Sequence, residues 1–115
     1  MNHRIAITLS AVVSVGTLFL AHTANAAVDA AAARALAKSN DCFKCHAIDK
    51  TKKGPSYKSV ADKFKGKADG ESKIIINITT GPKIKLDDGT VENHKIIDTK
   101  NPKDLKNLAD WILSL

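Results

Sequence analysis

Cys42-Phe43-Lys44-Cys45-His46 limits what this chain can fold into more than any other stretch. A C-x-x-C-H run reads as the attachment point of a c-type haem. Two thiols at that spacing reach the two vinyl groups of one ring, and the adjoining imidazole of His46 meets the iron from one face. A fold built on this run has to wrap a flat, largely apolar cofactor. Other uses of the cysteine pair fit less well. A thioredoxin-like C-x-x-C belongs in a βαβ unit, whereas Val28 to Lys38 is an alanine-rich helix former. Zinc would have to recruit Cys42, Cys45, His46 and His94, a separation that matches no finger-type spacing. A structural disulfide would leave His46 unexplained and would close a loop too short to constrain much.

The amino-terminal stretch points to export. Met1 to Arg4 carries one fixed positive charge, Ile5 to Leu20 is uncharged and largely apolar, and Ala24-Asn25-Ala26 offers an A-x-A cleavage pattern. Residues 1–26 are therefore predicted to be a secretory signal peptide, cut after Ala26, with residues 27–115 delivered to the periplasm. An uncleaved anchor is the weaker reading, because Thr8, Ser10, Ser14 and Thr17 dilute a run that needs about 20 predominantly apolar residues. The cleavage point has no cysteine beside it to take a lipid. The remaining length suits one domain and is too short for two cores. In a domain that small the haem acts as part of the core, so the apoprotein is expected to be poorly ordered.

Four short helices are predicted. The first runs from about Val28 to Lys38 and stops at Ser39-Asn40, asparagine being tolerated in the left-handed conformation that often ends helices. After the turn signal Gly54-Pro55, Tyr57, Val60, Ala61 and Phe64 recur at helical spacing within Ser56 to Lys65, closed by Gly66. Asp69 to Thr80 carries an isoleucine run that favours a strand, yet Glu71 near its start and Gly81 at its end mark a helix, which is the assignment adopted. From Pro82 to Thr99 the signals are turns, with a small hairpin expected around Asp87-Asp88-Gly89 between Ile84-Lys85-Leu86 and Val91. The last helix has Asn101 as cap, Pro102 in its first turn, Asp104 close behind and an apolar stripe of Leu105, Leu108, Ile112 and Leu115. Trp111 beside that stripe is read as core.

The formal net charge is +6, and loss of Arg4 with the leader lowers it by one. Lys50, Lys52, Lys53, Lys58, Lys63, Lys65 and Lys67 crowd the stretch after the haem motif. They form either a solvated face or a docking surface for acidic redox donors and acceptors, with long-range attraction raising the encounter rate. Nucleic acid is not expected as a partner, because the chain is read as exported. A monomer with no membrane insertion after processing is expected.

Taken together, Cys42-Phe43-Lys44-Cys45-His46, Gly54-Pro55-Ser56-Tyr57-Lys58-Ser59-Val60-Ala61 and Leu108-Ala109-Asp110-Trp111-Ile112-Leu113-Ser114-Leu115 resemble the small bacterial class I cytochromes c. The resemblance implies an all-α fold around one covalent haem c, with the first and last helices crossing near one haem edge and a turn-rich distal loop. It also implies a Pro55 carbonyl that accepts a hydrogen bond from His46, fixing the tautomer of the proximal ligand. One departure stands out. The family usually takes a methionine from the loop before the last helix as second axial ligand, and the only methionine here is Met1. Counting back from Trp111 to that position reaches Glu92-Asn93-His94-Lys95. His3 and His22 leave with the signal peptide, so His94 is the expected sixth ligand, Asn93 and Lys95 being the alternatives.

An electron carrier of lowered potential, not an enzyme, is the function these features predict, because methionine raises haem potential relative to nitrogen ligands. A haem that binds oxygen, nitric oxide or carbon monoxide through a labile distal site is the alternative. Peroxidase-like catalysis would want distal acid-base groups, and no dedicated set is present.

Overall fold

The computed structural model describes residues 26–115, and the predicted leader lies outside them apart from Ala26. Four helices, α1 (Ala30–Ser39), α2 (Tyr57–Phe64), α3 (Gly70–Thr80) and α4 (Pro102–Leu113), carry the fold. A two-stranded antiparallel hairpin, β1 (Lys83–Lys85) and β2 (Val91–Asn93), is set between α3 and α4 with Lys83 opposite Asn93.

Local chemistry explains where three of the four helices, α1, α2 and α4, begin. The side chains of Asp29, Ser56 and Asn101 accept hydrogen bonds from the backbone N–H groups of Ala32, Ser59 and Lys103, satisfying donors that a first turn leaves open. Pro102 follows Asn101 where its missing N–H costs nothing. At its far end α3 closes on Gly81 in the left-handed conformation, φ +60°. The isoleucine run of α3 is helical because Ile74 is buried and Ile75 and Ile78 pack on the core from one side, while Ile76 faces water. Packing overrides the strand propensity of those residues. One expectation needs correction: Asn40 is not left-handed (φ −97°), and the following Asp41 takes that conformation at φ +59°. Asn40 is otherwise engaged, since its amide N–H2 donates to the Leu36 carbonyl and its Oδ1 accepts from the Asp98 N–H.

α4 is the centre of the fold and packs against α1, α2 and α3. Its buried face of Leu105, Leu108, Ala109, Trp111 and Ile112 joins Ala33 and Ala37 of α1, Tyr57 of α2 and Ile74 of α3 in one cluster. The fully buried Ala37 and Ala109 are small, as close helix approach requires. A reciprocal pair of hydrogen bonds, Asp29 N–H to Asn107 Oδ1 at 2.8 Å and Asn107 Nδ2 to the Asp29 carbonyl at 2.9 Å, fastens the start of α1 to α4. Trp111 is 3 % exposed and belongs to the core. Among the described residues, no helix is long and apolar enough to cross a membrane.

Candidate haem site

The C-x-x-C-H run forms one tight turn that leads out of α1. Cys42–Lys44 is a single 3-10 turn, and the Cys42 carbonyl accepts from the N–H groups of both Cys45 and His46. Both thiols are free and half-buried. Burial pushes the Cys42 thiol up, partly offset by the Tyr57 hydroxyl. Tyr57 itself stays neutral, raised first by its burial and then by Cys42.

The chain then folds back beneath His46. The Gly54 N–H donates to the Cys45 carbonyl at 2.8 Å, and Lys52 Nζ reaches the Phe43 carbonyl at 2.6 Å. His46 Nδ1 lies 2.6 Å from the Pro55 carbonyl oxygen. A carbonyl can only accept, so Nδ1 carries the proton and Nε2 keeps its lone pair. The ring stacks on Tyr57 with centroids 5.1 Å apart. Burial lowers the pKa of His46, with the Pro55 bond opposing the effect and His94 adding to it, a shift toward the neutral form that a metal ligand requires. Gly54 is a residue that sequence reasoning treated as a turn marker only. A Cβ there would stand 2.8 Å from His46 Cε1, so the position also has to be small for the ring to sit where it does.

On the other side of the site, β2 delivers His94. The His94 N–H donates to the Pro82 carbonyl at 2.8 Å, and its Nδ1 lies 3.0 Å from the Lys95 carbonyl oxygen. By the same reasoning its Nε2 is the nitrogen left free. The two imidazole centroids are 6.2 Å apart, their planes inclined by 46°. Lys53 Nζ meets Glu92 Oε1 at 3.2 Å, an exposed ion pair that links the loop after His46 to the hairpin before His94. Among the described residues no group of three or more of His, Cys, Asp and Glu is placed to hold a metal ion. The lysines of the 50–67 stretch are all exposed.

These residues suit haem c. Two half-buried thiols on one turn and a neutral imidazole beside them are the donor set that covalent attachment requires. A mostly helical fold that holds a C-x-x-C-H turn under a carbonyl-anchored histidine defines a class of protein, the single-haem electron carriers. The cytochrome c family profile matches residues 30–115. The chain is similar to the class 1 cytochrome MtoD from Sideroxydans lithotrophicus ES-1, at 57 % identity over 76 % of this chain and 97 % of that one, with a TM-score of 0.73. It is also similar to cytochrome c552 of Nitrosomonas europaea, at 30 % identity over 70 % of this chain and 96 % of that one, with a TM-score of 0.55. Cytochrome c-551 of Pseudomonas aeruginosa shares 34 % of residues over 79, covering 69 % of this chain and 72 % of the relative. This chain belongs to the cytochrome c family, as a small class I member that carries one covalently attached haem c. It transfers electrons between redox partners and is not an enzyme.

Proposed function

We propose that the chain is an exported, periplasmic, monomeric electron carrier whose haem is bonded through Cys42 and Cys45 and held between His46 and His94, with a lowered potential. The observation that carries this reading is the matched anchoring of the two rings: each Nδ1 faces a main-chain carbonyl, leaving each Nε2 available to a metal. Their 6.2 Å centroid separation is about what two metal–nitrogen bonds of roughly 2 Å each plus two ring radii require. His94 also stands where the family usually supplies methionine, and Met1 is the only methionine in the chain.

The haem supplies a one-electron iron couple. Cys42 and Cys45 fix its orientation by thioether bonds, so the group stays with the chain through every encounter. Pro55 and Lys95 hold the two histidines in one tautomer, which keeps both ligands in place as the charge on the metal changes. Axial ligands tune haem potentials over about 0.8 V, and two nitrogen ligands would set the value below that of a histidine–methionine pair. The exposed lysines after the motif are the proposed docking surface for acidic partners. Residues 1–26 are the proposed cleaved leader and 27–115 the mature domain.

Visible spectra of the ferric and ferrous holoprotein, with and without carbon monoxide, test this reading. The wild type is expected to be low-spin in both states and indifferent to the gas, and His94→Ala to bind it promptly. His94→Met is expected to raise the midpoint potential. Prompt gas binding by the wild type would shift the assignment to a gas-binding haem, and an unchanged midpoint in His94→Met would remove His94 from the iron.

A further inference from the structure

We infer that Gly81 is a positioning residue for His94: the absence of a side chain at the end of α3 lets that helix close on the main chain carrying the distal histidine. The inference rests on the ligation proposed above and extends it to a residue that touches neither haem nor iron.

Three contacts define the seat. The Pro82 carbonyl accepts from the His94 N–H and the Ile78 carbonyl from the Ile97 N–H, both at 2.8 Å, so segment 94–97 is stitched to the last turn of α3 and to the second residue beyond it. Gly81 fills the space between the two stitches. A Cβ at that position would stand 2.9 Å from the His94 carbonyl oxygen, and 2.7 Å and 3.1 Å from Ile96 Cγ1 and Cδ1. The isoleucine side chain can rotate away. The carbonyl oxygen is part of the backbone and can yield only if segment 94–97 moves as a whole.

Such a movement reaches the imidazole directly. His94 Nδ1 is bonded to the carbonyl of the next residue, Lys95, so the ring follows the main chain instead of swivelling to compensate. Gly81 is also left-handed at φ +60°, and any other residue there adds backbone strain. Strain and contact are separable in this molecule. Gly89, at the tip of the hairpin, is left-handed at φ +85° with no atom within 4 Å of where a Cβ would stand. A substitution at Gly89 strains the backbone and touches nothing.

The experiment uses carbon monoxide as probe on the ferrous holoprotein, at one sub-saturating gas pressure, for Gly81→Ala, Gly81→Asn, Gly89→Ala and His94→Ala. Asparagine tolerates the left-handed region better than alanine but still carries a Cβ, so Gly81→Asn keeps the contact while easing the strain and preserving the fold. Both Gly81 variants are expected to show a gas-bound fraction at a pressure where the wild type shows none, with a shifted midpoint potential, because a tight contact is passed on to the ligand equilibrium. Gly89→Ala is expected to match wild type in both readouts. Wild-type gas binding by Gly81→Asn, or an equal rise in Gly89→Ala, would overturn the inference and leave backbone strain as the only effect. His94→Ala separates the two claims. If it binds the gas while the Gly81 variants do not, the positioning role alone falls; if it binds no more gas than wild type, the ligation falls and takes this inference with it.

Discussion

Asn40 ties two distant segments together through one side chain. Only 3 % exposed, it donates to the Leu36 carbonyl and accepts the Asp98 N–H, so one side chain ends α1 and holds down the far end of the segment that begins at His94. Its own carbonyl lies 3.9 Å from Cys42 Sγ. Asn40→Ala strands a backbone donor and should cost about 1–3 kcal/mol in chemical denaturation of the ferric holoprotein. Gly54 acts on the opposite ligand. Gly54→Ala places a carbon 2.8 Å from His46 Cε1, and the ring or loop must give way, with a loss of about 1–3 kcal/mol and a shifted midpoint. A Gly54→Ala protein of wild-type potential would mean that the loop absorbs the change without moving His46.

The helices owe their limits to caps and their stability to α4. Asn101→Ala should cost about 1 kcal/mol in thermal unfolding, the usual worth of a side chain closing a first turn. Ala109→Leu should cost about 1–3 kcal/mol, because the position is fully buried and additional carbons have to displace packed neighbours. These elements were legible in the sequence because their signals are local: Gly54-Pro55 and Asn101 announce helix starts, Gly81 a helix end, and Asp87-Asp88-Gly89 a turn between strands that do pair. The spacing of Cys42, Cys45 and His46 was legible for the same reason. His94 could be singled out because it is the only histidine besides His46 after residue 26. The parts played by Asn40, Gly54 and Gly81 were not legible. Each depends on a contact between segments brought together only by the fold, and no pattern in the neighbouring letters encodes a distance to residue 98, 46 or 94.

At the scale of the whole molecule, several core positions are alanine, and the aromatic and aliphatic weight lies on α4 and Tyr57. Such a core is thin for a chain this short, so the haem should supply much of what the helices pack against. Far-ultraviolet circular dichroism of Cys42→Ala, Cys45→Ala should show most of the helical signal lost, and a native spectrum would refute this. Electron exchange with an acidic redox protein should slow as salt rises from 0.01 to about 0.15 M, since the attraction of the exposed lysines falls off within a Debye length; a salt-independent rate would place docking elsewhere. Pro55 and Lys95 contribute to the site through main-chain oxygens, atoms that every amino acid possesses. Drift in the codon for residue 95 therefore leaves the acceptor of His94 untouched, and Lys95→Gln should give a wild-type spectrum. Apart from the ligands themselves, heritable adjustment of this haem has to come through the lengths of the two loops and the few sites where a side chain must be missing, which makes the surroundings of the centre tolerant of most point mutations and sensitive to single-residue insertions and deletions.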